Sequence, residues 1–336
     1  MSLAWSGDPS IVGDAVRYVT GSRPRYVHLR RLIPLSILSV EREGTTMSLI
    51  GCHGSVWSGT WDDEGLRKAV EGTAKAGFDL IEFPIFEPQT WNVELTKKLL
   101  ADNGLAATAS LGLTDDIDIS SADPAIVAHG EEHLRQVIDI LGAIGAGHLV
   151  GVIYSAMRKY FRSATPQEVR HSQEALGRLS EYAAARGVTL GAEVVNRYET
   201  NIINTGRHAL EFLAGVPGGR VRLHLDTYHM NIEESDMVQP VLDGAEQLTY
   251  VHIGESHRGY LGTGTVDFDN FFKALGRVGF DGPIVFESFS SVIVDPAMSR
   301  SLAIWRNLWD DGADLAAHAN QFIRGKLRAV ETIALH

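Results

Sequence analysis

From residue 47 onward, hydrophobic and polar positions alternate between two kinds of segment. A short apolar or β-branched run leads into a polar turn, and then a longer stretch carries apolar residues at helical spacing. The unit recurs at about 30 residues, as expected for parallel βα units. Eight predicted strands begin near Leu49, Leu80, Ala106, His148, Thr189, Val221, Leu248 and Pro283.

Eight such units predict a closed (β/α)₈ TIM barrel over residues 47–336. An open, doubly wound sheet is the alternative, and it would require a glycine-rich phosphate-binding turn after its first strand. That strand is instead followed by HGSVWSGTW. The length of 336 residues alone fits either one barrel with additions or two ordinary domains.

The boundaries of several predicted helices are marked by capping residues. Thr165 and Glu168 flank Pro166 in the arrangement of a capping box, with proline at the first helical position. The segments AKAGFD, ILGAIGAGH and AAARGVT place a glycine after a helix and before the next strand. Such glycines are typical of the loops that lead from a helix to a strand.

Residues 1–46 have a different composition from the rest of the chain. They contain six arginines, no lysine and four acidic residues, and their periodicity is weak. An arginine-rich start with few acids can be an organelle transit segment. We prefer the interpretation of an extension outside the core, upstream of a natural start at Met47, with residues 47–336 as the catalytic barrel.

Composition excludes several classes of partner. The chain has 30 lysines and arginines against 42 acidic residues, and this net charge of −12 disfavours nucleic acid and anionic membranes. No apolar stretch approaches the roughly 18 residues of a membrane span. Cys52 is the only cysteine, which excludes an intrachain disulfide and favours a reducing, cytoplasmic location.

Residues that can act as acids, bases or metal ligands lie where the predicted strands end. Reactive groups of such barrels lie at the C-terminal ends of strands. Strands five to eight are predicted to end at Glu193, Asp226, His252 and Glu287. Three carboxylates in one mouth would be costly without a neutralising cation. An ion-pair network is the alternative, but no lysine or arginine lies near these strand ends except Arg222. We therefore expect a metal ion. Three carboxylates and one imidazole suit Mn²⁺, with Mg²⁺, Co²⁺ or Zn²⁺ as competitors.

A family resemblance is carried by four segments. They are EVVNRYETNIINT (193–205), LDTYHMNIEE (225–234), HIGESHRGYLGTG (252–264) and FESF (286–289). They resemble the D-tagatose 3-epimerase family, which includes the D-allulose (D-psicose) and L-ribulose 3-epimerases. The resemblance spans most of residues 47–330, and it implies a xylose-isomerase-like barrel that assembles as a homodimer or homotetramer and acts on a small ketose.

The resemblance also implies roles for individual residues. Two glutamates, Glu193 and Glu287, would act as the acid/base pair. The predicted metal ligands would be those two residues together with Asp226 and His252, separated along the chain by 33, 26 and 35 residues as in that family. Substrate contacts are expected from Glu199, His229, Arg258, Trp61 and Phe289.

These residue types suit inversion at carbon 3 of an unphosphorylated ketose. Its hydrogen lies next to the carbon 2 carbonyl, so that loss of the proton gives an enediolate that needs an electrophile for stabilisation. One carboxylate removes the proton from one face and another returns a proton to the opposite face. Strands five and eight are separated around the rim, which would place the two glutamates on either side of the sugar.

Three other functions are weighed against this one. An aldose–ketose isomerase on the same barrel is the first alternative. A hydrolase of the endonuclease IV type would need more strand-end histidines and a basic groove. A catalytically silent sugar-binding protein would not need two opposed proton carriers.

Three positions bear on the details of the site. His53 and Met157 stand where related enzymes often carry aromatic residues, which leaves the preferred ketose open. His224 shares the strand parity of Asp226, and we expect a hydrogen-bonded core histidine rather than a fifth ligand.

Overall fold

Eight parallel strands form the centre of the molecule. The computed structural model describes residues 41–42, 45–46 and 48–333. A short antiparallel pair, Glu41–Arg42 with Thr45–Thr46, comes before the barrel strands in the chain. The barrel strands are β1 Ile50–His53, β2 Leu80–Pro84, β3 Ala106–Leu113, β4 His148–Ala156, β5 Thr189–Glu193, β6 Arg222–Asp226, β7 Leu248–Ile253 and β8 Ile284–Phe286.

Helices and short turns connect the strands. Four 3₁₀ turns lie at Gly54–Val56, Pro88–Thr90, Asp115–Ile117 and Pro217–Gly219. The α-helices are α1 Asp63–Lys75, α2 Val93–Asn103, α3 Pro124–Ile144, α4 Pro166–Ala184, α5 Gly206–Ala214, α6 Thr227–Glu233, α7 Gln239–Asp243, α8 Phe268–Val278, α9 Pro296–Ser301 and α10 Gly312–Ile333.

The predicted closed barrel is confirmed. Each strand pairs in parallel with its neighbours in the chain, and β8 returns to pair with β1. Each strand begins within one residue of its predicted start. The last helix, α10, packs against α8 and against β1 and β8, and so covers the seam where the barrel closes.

Two strands are longer than their apolar runs indicated. β3 continues to Leu113 and β4 to Ala156, and the register between them shifts after Gly112. Gly151 in β4 has a φ of +109°, and a Cβ there would lie 2.3 Å from the carbonyl oxygen of Leu111. Only glycine fits such a backbone approach, so this residue permits the irregular pairing.

The predicted helix boundaries are present. The Thr165 hydroxyl accepts from the backbone N–H of Glu168 at 3.2 Å, and the Glu168 carboxylate accepts from the N–H of Thr165 at 2.7 Å. The three predicted helix-exit glycines, Gly77, Gly145 and Gly187, all have positive φ. They follow α1, α3 and α4 in the left-handed conformation that ends a helix.

The barrel interior is polar as well as apolar. Apolar residues of the strands and helices form one large cluster around the barrel. Side chains with hydrogen-bonding groups are also buried there, among them Glu82, Thr108, His224, Tyr250 and His252, each at most 1% exposed. Buried polar groups are costly unless they are paired, and Tyr250 and His252 both hydrogen-bond Glu82.

The prediction for residues 1–46 lies outside the described residues, apart from the antiparallel pair, and it stays a prediction. Within residues 48–333, no helix combines the length and the hydropathy that a bilayer crossing requires.

Candidate active site

Strand register brings the predicted metal ligands to one end of the barrel. Glu193 and Asp226 are the last residues of β5 and β6. His252 is the last but one of β7, where it pairs directly with Asp226. Glu287 follows the last residue of β8, and its N–H continues the ladder by donating to Ile253 at 3.1 Å. Two of the four ends therefore differ by one residue from the predicted position, and all four side chains come from adjacent strands.

The four side chains converge on one buried point. Nδ1 of His252 lies 3.5 Å from an oxygen of Glu193 and 3.5 Å from an oxygen of Glu287. Ligand atoms of Asp226, His252 and Glu287 all lie within 4.8 Å of one another, as do those of Asp226 and Glu193. None of the four residues is more than 7% exposed. The structure brings together every residue of the predicted ligand set.

The donor set fits a divalent cation. Nδ1 of His252 is buried and has no well-aligned hydrogen bond among the described residues, although carboxylates flank it. Burial raises the pKa of Glu193 to about 8 and the pKa of Asp226 to about 6, which reflects the cost of placing their charges in this mouth. A cation ligated by oxygens and one imidazole would remove that cost.

A fourth acid, Glu82, lies on the Nε2 side of His252. Nε2 of His252 lies 3.0 and 2.9 Å from the two oxygens of Glu82, a β2 residue that is 0% exposed. The sequence reasoning missed this residue because it follows the apolar pair Leu80–Ile81 inside a strand rather than ending one. The available signal was the acid itself, since a charge within a buried strand requires a partner.

Arg258 lies inside the site and not on a solvated rim. Its guanidinium contacts Asp226 at 3.3 Å and hydrogen-bonds Glu287, while its Cζ lies 3.8 Å from the ring centre of Tyr228. Burial would raise the pKa of Glu287, but the combined effect of Arg258, His252 and His53 outweighs burial and lowers this pKa. The pKa of Glu193 is therefore raised and the pKa of Glu287 is lowered.

The backbone of Arg258 has a strained conformation that its neighbours maintain. Its φ is +61°, in the left-handed region that non-glycine residues rarely adopt. Its N–H donates to the Glu255 carbonyl at 2.8 Å, and its carbonyl accepts from the hydroxyl of Ser288. That hydroxyl in turn accepts from the indole N–H of Trp309 at 2.8 Å.

Asn196 contacts both His229 and Glu199. Nδ1 of His229 accepts from the backbone N–H of Asn196 at 3.1 Å, and the Asn196 side chain donates to Glu199 at 2.8 Å. The proton of the neutral His229 ring is thus on Nε2, which lies 3.6 Å from Asp226 and 3.8 Å from Glu193. Burial lowers the pKa of His229, which favours this neutral donor form. Sequence reasoning did not identify Asn196.

The two predicted aromatic contacts occupy different places. Phe289 packs edge-on against His53 at 5.3 Å, and its ring centre lies 5.3 Å from the guanidinium carbon of Arg258. Trp61 stacks on Trp91 at 5.8 Å, and it approaches the mouth through Gly54, where a Cβ would lie 2.5 Å from the Trp61 ring. Phe289 therefore lies beside Arg258, which in turn contacts Glu287, while Trp61 belongs to an adjoining aromatic group.

A second cluster of ligand-type atoms is less suited to a metal. Atoms of His53, Glu82 and Glu287 lie within 4.8 Å of one another. Nδ1 of His53 accepts from the backbone N–H of Ser55 at 3.1 Å, which puts the ring proton on Nε2, 3.6 Å from Glu82. Because that nitrogen carries a proton, His53 faces Glu82 as a donor and has no free lone pair for an ion.

His224 is a core histidine, as predicted, but the expectation of satisfied hydrogen bonds is wrong. It is 0% exposed, and neither ring nitrogen has a hydrogen-bond partner among the described residues. The rings of His252 and Tyr250 pack edge-on around it at 4.3 and 5.1 Å. Its Nδ1 lies 4.0 Å from Glu193, beyond hydrogen-bonding distance.

Comparison with known proteins agrees with the barrel fold described above. A family model described as a xylose isomerase-like TIM barrel matches residues 70–317. A ketose 3-epimerase of Arthrobacter globiformis is 59% identical over 287 residues, which cover 85% of this chain and 99% of the relative. An L-ribulose 3-epimerase of Methylomonas sp. is 54% identical and covers 82% of this chain and 96% of its own length.

A solved structure resembles the whole barrel. The crystal structure of a D-allulose 3-epimerase from Methylomonas sp. in complex with D-allulose is 52% identical in sequence, with a TM-score of 0.82. It covers 83% of this chain and 97% of its own. With the fold, the buried His/Glu/Asp cluster and these identities together, the chain belongs to the ketose 3-epimerase family, the carbohydrate isomerases on a xylose isomerase-like TIM barrel.

Proposed function

We propose that this enzyme is a metal-dependent epimerase that inverts carbon 3 of free ketoses through an enediolate. Its substrates would be D-fructose and D-allulose, D-tagatose or L-ribulose. The observation that carries the proposal is the approach of Glu193 and Glu287 to the same nitrogen of His252, each at 3.5 Å. Relatives named for L-ribulose and D-psicose support the substrate class.

The proposed ion is Mn²⁺, with Mg²⁺ or Co²⁺ as substitutes, held by Glu193, Asp226, His252 and Glu287. Mn²⁺ suits this set because it accepts carboxylate oxygens as well as imidazole nitrogen. A divalent cation held there would supply Lewis-acid stabilisation for negative charge on the oxygens of carbons 2 and 3.

The two glutamates would carry the proton. For one epimer, the Glu287 carboxylate takes the proton from carbon 3, and the electron pair of that C–H bond enters the enediolate. The Glu193 carboxyl then donates its proton to the opposite face of carbon 3, which forms the new C–H bond and restores the carbonyl. For the other epimer the two residues exchange roles, so neither is the base in both directions.

The remaining predicted residues would hold the substrate. His229 presents its Nε2–H toward the ligand cluster and would donate to the oxygen on carbon 2. Arg258 would place positive charge beside the enediolate, and Glu199 would accept from a sugar hydroxyl. Phe289, with Trp61 beyond it, would form the apolar side of the pocket.

An unphosphorylated substrate is favoured by the charges on the loops after β4 and β5. Three arginines there are already paired with acids: Arg158 with Asp115 at 2.6 Å, Arg162 with Glu168, and Arg197 with Glu233 at 2.6 Å. A phosphate group would require cations that are not already engaged. The remaining cation of these loops, Lys159, has no acidic partner among the described residues and lies 5.7 and 5.6 Å from the rings of Phe161 and Tyr198.

Location and assembly are also part of the proposal. We place the enzyme in the cytoplasm as a homodimer or homotetramer that binds neither nucleic acid nor membranes. Its family membership supports the assembly, and its lone cysteine, Cys52, suits a reducing compartment. Light scattering coupled to gel filtration measures the assembly.

Isotope labelling tests the reaction. Incubation of the Mn²⁺-loaded enzyme with D-fructose in heavy water should place deuterium on carbon 3 of both fructose and allulose, and thorough chelation should abolish the incorporation. Deuterium confined to carbon 1 or 2 would identify an aldose–ketose isomerase instead.

A further inference from the structure

The carboxylate of Glu82 occupies a position that the proposed reaction does not yet use. It lies in the barrel interior beside Nε2 of His252, whereas Glu193 of the four-ligand cluster approaches Nδ1. Both of its oxygens lie within 3.0 Å of Nε2 of His252. Its side chain is 0% exposed, so its charge is retained only because specific donors surround it.

The groups that face Glu82 come from two strands, β7 and β1, and a third strand supports one of them. The Tyr250 hydroxyl of β7 donates to Glu82, and the same hydroxyl hydrogen-bonds Thr108 of β3 at 2.7 Å. Nε2 of His53 at the end of β1 lies 3.6 Å from the other oxygen. Contacts from several directions fix the orientation of the carboxylate, which is what a group that orients another side chain requires.

We propose that Glu82 is a positioning residue for the metal site: it accepts the Nε2–H of His252 and thereby leaves Nδ1 as the lone-pair donor directed at the ligand cluster. The inference rests on the proposed metal-dependent function. An imidazole ligates through the nitrogen that carries no proton, so a fixed acceptor at Nε2 decides which nitrogen ligates. It also increases the basicity of the ligating nitrogen.

Glu82 is not itself a candidate ligand for that ion. Its carboxylate lies at Nε2 of His252, whereas the Glu193 and Glu287 oxygens approach Nδ1. Its two oxygens are already occupied by His252 and Tyr250. The effect of Glu82 on the ion must therefore pass through His252.

Mn²⁺ affinity of the full-length protein tests this role without reference to turnover. We would measure the Mn²⁺ Kd by calorimetry for wild type and for Glu82→Leu, Glu82→Gln and Tyr250→Phe. Loss of the acceptor in Glu82→Leu should raise the Kd about tenfold to a hundredfold. Glu82→Gln should raise it less, because an amide oxygen still accepts the Nε2–H. Tyr250→Phe removes one donor to Glu82 and leaves the His252 contact, so its Kd should lie between those of wild type and Glu82→Leu.

Two further readouts separate positioning from a general structural role. The visible absorption bands of the Co²⁺-loaded protein should differ between wild type and Glu82→Leu, because the ligating imidazole is reoriented. In a His252→Ala background, Glu82→Leu should change the Mn²⁺ Kd little further, since the residue through which it acts is gone.

The outcomes are distinct. If wild type binds Mn²⁺ and folded Glu82→Leu binds it equally well, the positioning role is overturned and the metal site stands. If Glu82→Leu fails to fold, Glu82→Gln decides, and a Kd and Co²⁺ spectrum equal to those of wild type overturn the role. If wild type binds no Mn²⁺, the proposed metal site fails first and this inference fails with it.

Discussion

Asn196 fixes the hydrogen bonding of two neighbouring side chains, His229 and Glu199. Asn196 is 2% exposed, and it contacts Nδ1 of His229 through both its backbone and its side chain while its amide donates to Glu199. It therefore decides which nitrogen of His229 faces the ligand cluster. A residue with no acid–base function of its own thus determines what hydrogen bond the site can offer a sugar.

Replacing this asparagine should impair substrate binding and leave metal binding intact. In Asn196→Ala the side-chain contacts to His229 and Glu199 are lost, and we expect kcat/KM to fall about tenfold, equivalent to about 1.4 kcal/mol of transition-state stabilisation. Steady-state kinetics at saturating Mn²⁺ and calorimetry of Mn²⁺ binding provide the measurement.

Asn201 is the matched control on the same loop, because its side chain donates only to the carbonyl of Arg162. Asn201→Ala should keep kcat/KM within about twofold of wild type. Equal losses in the two variants would show that Asn196 has no specific role.

Residues at strand ends are predictable from sequence, and residues that orient them are much less so. Glu193 and Asp226 could be identified because a barrel places strand ends in one mouth. Glu82 and Asn196 act through partners on other strands and loops, and no spacing along the chain relates them to His252 or His229. The missing hydrogen bonds of His224 could not be predicted either, because they depend on the rings that pack around it.

At the scale of elements, the segment after α9 supports the active-site loops. Trp309 is 4% exposed and donates its indole N–H to Ser288, which in turn holds the carbonyl of Arg258. Because Arg258 has a positive φ, its conformation depends on such outside contacts. Two successive hydrogen bonds thus connect the chain between α9 and α10 to the backbone carbonyl of Arg258.

Removing the hydrogen bond from Trp309 to Ser288 should lower kcat/KM. Trp309→Phe keeps an aromatic ring but removes the N–H, and the loss of about 1 kcal/mol should reduce kcat/KM about fivefold. Kinetics and the melting temperature of the Mn²⁺-loaded enzyme give the readout. Trp305→Phe is the control, because Trp305 is 73% exposed, and it should leave kcat/KM unchanged. A Trp309→Phe enzyme with wild-type kcat/KM would contradict the proposed connection.

The elements themselves were largely predictable. The starts of all eight strands and the cap of α4 were readable because apolar runs, glycines and a capping box mark them locally. The extra length of β3 and β4 was not, since their irregular pairing depends on Gly151 meeting Leu111 across two strands. Local patterns identify elements, and pairing decides where they end.

For the whole molecule, the relatives indicate how much of the chain the enzyme needs. The Arthrobacter globiformis relative is covered over 99% of its length by a 287-residue alignment to this 336-residue chain. We therefore expect a chain that begins at Met47 to fold and to keep kcat/KM within about twofold of the full chain. Expression of both forms, with melting curves and kinetics, checks this. A truncated protein that is unfolded or inactive would show that residues 1–46 contribute to the core.

The central claim is that Glu193 and Glu287 serve opposite faces of the sugar, and hydrogen exchange by single variants tests it most directly. Mn²⁺-loaded Glu193→Gln and Glu287→Gln would each be incubated in heavy water with D-fructose and, separately, with D-allulose, with Glu211→Gln as a surface control. Each variant should lose epimerisation by about 10²–10⁴-fold. Each should still exchange the carbon 3 hydrogen of one epimer, and the epimer exchanged should differ between the two variants. Exchange of the same epimer by both variants, or epimerisation at the wild-type rate in either, would contradict the account.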